Sequence, residues 1–180
     1  MLKNTISTYG SMAKFFHWIM ALLFFGMFIV AYIMINISKS DFRYSLYDLH
    51  KATGLLLFGL VALRLIWRKV TTQPVLSKIV PGWQQRAAKW NVVLLYILMI
   101  VMPMTGFLTS TLGGHPITFY SIFTIDPLAH DNASSEFFSE AHEILSYLLI
   151  AAFLFHVLGA LYHHYFLKDD VLKRMLIVKT

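Results

Sequence analysis

The stretch AHEILSYLLIAAFLFHV, residues 141–157, decides how this chain is read. It is one apolar run with a histidine near each end, His142 and His156, 14 residues apart. In a helix that step is about 21 Å along the axis with only about 40° of drift around it. One helix face therefore presents an imidazole at two depths.

Outward from that stretch, the whole chain has the composition of a membrane protein. Of 180 residues, 58% are hydrophobic, against roughly 45–50% in an average soluble domain. Four runs are long enough to cross a bilayer, which takes about 20 apolar residues. The expected helices cover about residues 7–38, 41–70, 87–112 and 135–167 of one domain spanning 1–180. The fold class is thus all-α, an integral-membrane four-helix bundle. The first run has too long an apolar core, with no small-residue cleavage site after it, to be a signal peptide. Residues 87–91, with Trp90 and Asn91, read as an interfacial start to the third helix. Pro103 lies inside that helix, where a kink is tolerated because a bundle re-satisfies the freed carbonyl. Residues 117–125 are apolar and aromatic but too short to span, and read as a lid or interfacial segment on the outer face.

Charge gives the orientation. The net charge of +6 does not point to nucleic acid, because the cations sit at the ends of the apolar runs. Lys3 and Lys14 precede the first run. Arg68, Lys69, Lys78, Arg86 and Lys89 lie between the second and third, and Lys168, Lys173, Arg174 and Lys179 follow the fourth. The other two connections are poor in cations. Residues 110–141 hold no Lys or Arg, and carry Asp126, Asp131, Glu136 and Glu140. Cationic loops stay inside, so both termini are expected in the cytoplasm and those two connections outside, in a bacterium the periplasm.

Two more histidines lie in apolar segments, His17 in the first and His50 in the second. His17 and His156 are each about 15 Å from the cytoplasmic end of their helices, and His50 and His142 are each about seven to nine residues in from the outer end. Four imidazoles at two matched levels fit two stacked haems with two histidines each. Neutral imidazole is the cheapest strong nitrogen donor to place in a membrane. With both axial positions filled, a haem iron carries electrons rather than activating dioxygen. The chain has no cysteine, so disulfides, thiolate metal sites and covalently attached haem are excluded. Zinc fits poorly, since neither pair offers four ligands. A proton path lined by histidines is the non-redox alternative.

Other residues are weighed beside these. Gly54, one turn after His50, and Gly59, Gly106 and Gly159 would leave room for a flat macrocycle or simply pack helices. Arg64 repeats the 14-residue step from His50 and would meet the inner level, to pair a haem propionate or a quinone carbonyl, or else snorkel to the cytoplasmic surface. His163 is the rival inner ligand. His115 and His130 lie in outer loops and are expected to be solvated.

Several motifs together carry a resemblance. Lys14-Phe15-Phe16-His17-Trp18, Leu49-His50-Lys51 with Gly54, Met102-Pro103 with Gly106, Ala141-His142-Glu143, and the run from Ala160 to Asp169 resemble the bacterial di-haem cytochrome b561 family. The resemblance covers nearly the whole chain. It implies a multi-pass inner-membrane protein with two haem b groups, His17 and His156 holding the inner iron and His50 and His142 the outer one. The family includes superoxide oxidases, so it also implies superoxide as donor at the outer face and ubiquinone as acceptor. A cytochrome b that links another donor or a partner dehydrogenase to the quinone pool is the alternative. Superoxide is an anion and benefits from a positive entrance. Here the outer loop is acidic, and Arg43 and Lys51 are the candidate attractors together with Lys39.

Overall fold

A computed structural model describes residues 1–75 and 80–176. The cations Lys78 and Lys179 of the charge argument lie outside the described residues. Four long helices dominate: α1 (Ser11–Asn36), α2 (Asp41–Val70), α3 (Gly82–Leu112) and α4 (Asn132–Tyr165). All four are long and apolar enough to cross a membrane.

Local chemistry sets the helix ends. α1 begins four residues later than expected, because the preceding chain is folded on itself. The Thr5 hydroxyl accepts from the Thr8 amide, and the Ser11 amide donates to the Met1 carbonyl. Gly10 is required at this crossing, since a Cβ there would lie 2.3 Å from the Leu2 carbonyl oxygen. α2 starts where expected, with Ser40 as N-cap accepting from the Arg43 amide at 3.3 Å. Ser40→Ala is expected to cost about 1 kcal/mol, readable as a lower Tm in detergent with the haem content unchanged. α3 starts five residues before residue 87, with Pro81 as N-cap, its carbonyl accepting from the Gln85 amide. α4 starts three residues before residue 135, capped by Asp131, which accepts from the Ser134 amide and hydroxyl. Those bonds favour the carboxylate and hold Asp131 below the usual aspartate range. The cap is therefore present at neutral pH and lost as pH falls through that lowered value. α4 ends at Tyr165, two residues short of expectation, where the Phe166 and Leu167 amides both donate to the Tyr162 carbonyl.

Residues 117–125, read as a lid or interfacial segment, form a β-hairpin. β1 (Ile117–Phe119) pairs antiparallel with β2 (Phe123–Ile125). The tight turn puts Tyr120 and Ser121 at φ +45° and +62°. Such a turn normally takes Asn-Gly, so nothing in the local sequence announced it. The hairpin is fastened to α2 at two points. Lys51 Nζ donates to the Pro116 carbonyl at 3.0 Å, and the Tyr120 and Thr53 hydroxyls meet at 2.8 Å.

The opposite end is knitted from three stretches of chain. Val75 N donates to the Ile6 carbonyl, Lys14 Nζ to that of Leu176, Trp18 Nε1 to that of Met175, and Arg174 Nη1 to that of Val75. Both tails and the α2–α3 connection therefore gather at one end of the bundle. The buried core lies midway, built from Met20, Phe24, Leu57, Val61, Leu98, Leu149 and Ala152. Leu57 is seven residues from both His50 and Arg64, and Leu149 seven from both His142 and His156. Two turns in each direction put these leucines between the two histidine levels.

Candidate haem-binding site

α4 packs along α3, while α1 packs on α2 and α2 on α3. Backbone approaches of α4 to α1 and to α2 are few. Imidazoles reach across that separation at two levels. At one, the rings of His17 and His156 have centroids 6.0 Å apart. At the other, those of His50 and His142 are 6.3 Å apart. The step predicted along α4 thus meets one partner on α1 and another on α2, in the pairing the depth argument called for.

The spacing suits a shared metal ion. Two imidazole nitrogens on opposite sides of one ion, about 2 Å away each and roughly 1 Å from their ring centres, put those centres about 6 Å apart. Among the described residues no group of three His, Asp or Glu side chains converges, so each pair offers two donors, the number that fills the axial positions of a haem and half of what structural zinc takes. All four histidines are part-buried, and among the described residues His50 Nδ1 is buried with no hydrogen-bond partner.

Each ring is held differently. His142 is oriented by α3: its Nδ1 donates to the Met102 carbonyl at 3.0 Å, with the Thr105 hydroxyl 3.1 Å away. Nε2 is then the free donor, as in metal sites where a second bond fixes the tautomer. Thr105, only 7% exposed, was not singled out by sequence. Its one clue is the position one residue before Gly106, and nothing local says that a ring from another helix arrives there. Gly106 lies against the His142 ring. A Cβ there would lie 2.8 Å from His142 Cε1 and 3.1 Å from Nδ1, so this glycine makes room for the imidazole. By contrast, a Cβ at Gly59 or Gly159 meets nothing within 4 Å, and one at Gly54 only Met27 Cε at 3.9 Å. Gly59 and Gly159 thus border open space, while a Cβ at Gly54 would make ordinary contact.

Arg64 does not snorkel. Its guanidinium turns inward, donating from Nη2 to His17 Nδ1 at 3.1 Å and lying 5.8 Å from the Tyr96 ring centre. While that bond holds, the neutral His17 ring carries its proton on Nε2. To present Nε2 as a lone pair the proton must move to Nδ1, and Arg64 must let go. His163 is engaged elsewhere, bonded through Nδ1 to the Asp169 carboxylate just past the end of α4.

Of the three candidate attractors, Lys39 is exposed and the other two are engaged by neighbours. Lys51 pairs with Asp48 at 2.9 Å besides holding the hairpin, and Arg43 lies over Tyr47, 5.7 Å from its ring centre. His115 and His130 are exposed, as expected of outer loops.

Known proteins are similar to this chain in sequence. Residues 8–177 match the family described as prokaryotic cytochrome b561. A protein of Escherichia coli K12 named cytochrome b561 homolog 2 is 33% identical over 175 residues, 96% of this chain and 93% of its own length. Cytochrome b561 homolog 1 of the same organism is 30% identical over 133 residues, 72% of this chain and 73% of that protein. With a match from before the first helix to past the last, the chain belongs to the prokaryotic cytochrome b561 family, and is a multi-pass inner-membrane cytochrome b that transfers electrons.

Proposed function

We propose that the chain is a two-haem wire across the inner membrane, taking electrons from superoxide at the outer face and delivering them to ubiquinone at the inner end. The observation that carries the wire is the pairing of His17 with His156 and of His50 with His142, one α4 helix supplying a ring to each pair 14 residues apart. In this reading His17 and His156 hold the inner haem iron and His50 and His142 the outer one. Haem iron supplies the one-electron step by passing between its ferric and ferrous states. Two superoxide anions give up one electron each and leave as dioxygen. A quinone accepts both electrons and takes two protons.

The protein's own groups do the rest. With His17 and His156 on one iron and His50 and His142 on the other, the haems would carry electrons rather than activate dioxygen. Met102, Thr105 and Gly106 set the outer ring's direction and tautomer. The leucine, methionine and phenylalanine side chains between the two levels keep water from the path. Arg64 reaches the inner level, where release from His17 makes it available to a haem propionate or a quinone carbonyl. Lys69 and His163 are further candidates for the quinone end. The tails and the α2–α3 connection close the end that the cation distribution assigns to the cytoplasm.

Mixing the oxidised, purified protein with superoxide in a stopped-flow instrument tests the donor. Reduction of both haems at on the order of 10⁸ M⁻¹s⁻¹ or faster is expected of an enzyme for this substrate. A rate slower by several orders of magnitude removes superoxide from the proposal and leaves the wire. One observation favours a second reading. Lys51, beside the outer pair, is neutralised by Asp48, and Asp126, Asp131, Glu136 and Glu140 are exposed around that face. This suits a redox protein or another donor better than a small anion. Such a carrier would ignore superoxide and be reduced by a cationic donor protein in a salt-dependent way.

A further inference from the structure

Asn91 stands ten residues into α3, at the border where a polar first stretch gives way to an apolar one. A polar side chain at that depth has to find partners within the protein. Its amide, oriented so that donors face acceptors, takes both of them from one place on α4. The NH₂ donates to the Ala152 carbonyl at 3.2 Å, and the amide oxygen accepts from the His156 backbone N–H at 3.2 Å. Ala152 and His156 are the two ends of a single i, i+4 helical rung, the one whose upper residue bears the inner imidazole. Ala152 is itself part of the buried core, 3% exposed.

We infer that Asn91 is a positioning residue for the inner ligand. Its amide acts as a cross-helix clamp that fixes the height and rotation of α4 at His156, and through the backbone the direction of that ring. His142 has its ring held directly, by Met102 and Thr105. His156 has no such bond to its ring nitrogens among the described residues, and the clamp on its backbone replaces it. Polar contacts between membrane helices often serve only as glue, which would work equally well at any rung. Here both halves of the amide fall on the rung of the ligand, so loss of the clamp acts on one haem and not on the bundle as a whole. The inference rests on the reading of His156 as inner ligand, and the test separates the two.

The experiment compares the full-length holo wild type with Asn91→Ala, Asn91→Asp and His156→Ala. Haem stoichiometry, the low-field electron paramagnetic resonance signal of each haem and each midpoint potential are read. Asn91→Ala is expected to shift the inner haem's signal and potential and leave the outer haem's unchanged. Asn91→Asp, which accepts from His156 N but cannot donate to Ala152 O, is expected to shift the same haem. Inner-haem signals superimposable on wild type in both variants would overturn the inference. A second readout needs no haem. In the apo forms, hydrogen exchange over residues 152–157 is expected to quicken on the order of tenfold in Asn91→Ala, with residues 142–149 unchanged; a uniform change or none overturns the clamp. If His156→Ala keeps both haems, the ligand assignment falls while the exchange result still judges the clamp.

Discussion

Alanine at His156 or at His17 is expected to remove one haem per chain, the inner, and leave the outer haem's spectrum and potential in place; alanine at His50 or His142 does the reverse. In the proposed reading each ring is one of two donors to its iron, and each pair draws on a different pair of helices, α1 with α4 or α2 with α4. Losing one donor opens a coordination position and leaves a buried cavity on one side of the macrocycle, a combination that non-covalent haem rarely survives. The other pair lies about 20 Å away along α4, separated by the core around Leu57 and Leu149, so the two losses should be independent. Haem-to-protein ratios with low-temperature spectra of each variant decide it. The assignment fails if His163→Ala loses the inner haem while His156→Ala keeps it. That outcome would mean that the contact of His163 with Asp169 gives way when haem binds.

The second large effect comes from a residue that binds nothing. Gly106→Val is expected to abolish the outer haem and spare the inner one. Even the first added carbon would sit 2.8 Å from His142 Cε1, where carbon atoms prefer about 3.5–4.0 Å. The ring has to leave its place, and in doing so it gives up its bond to the Met102 carbonyl. Thr105→Val is the contrast. It removes the hydroxyl beside Nδ1 but keeps the Met102 bond, so both haems should stay, with a shifted potential for the outer one only. Two haems of normal spectrum in Gly106→Val would show that the glycine serves plain helix packing.

Much of this could be read from local chemistry. The four runs and their order follow from apolar length, and Ser40 and Asp131 act as caps of an ordinary kind. One end moved for a reason at a distance. α1 is delayed because the tail folds back on Ser11 through Met1, a contact between residues that no periodicity links. The hairpin escaped notice because its turn is built on Tyr120 and Ser121, residues that do not prefer positive φ. Its purchase on α2 comes from hydroxyls 67 residues apart in sequence. Lys51 looked like a free cation beside the outer ligand, and becomes a tie once Asp48 and Pro116 are in reach.

The amino-acid order alone determined that this is a membrane bundle with imidazoles at two depths, because helix geometry is local and a 14-residue step maps onto depth and angle without knowledge of any neighbour. It could not say which groups would surround each imidazole. That Arg64 turns to His17, that Gly106 yields to His142 and that Asn91 grips the backbone at His156 are matters of how α3 and α4 pack and of where α1 and α2 stand. Such contacts depend on the rotation and height of one helix against another, and those are fixed only by the sum of all packing contacts in the bundle.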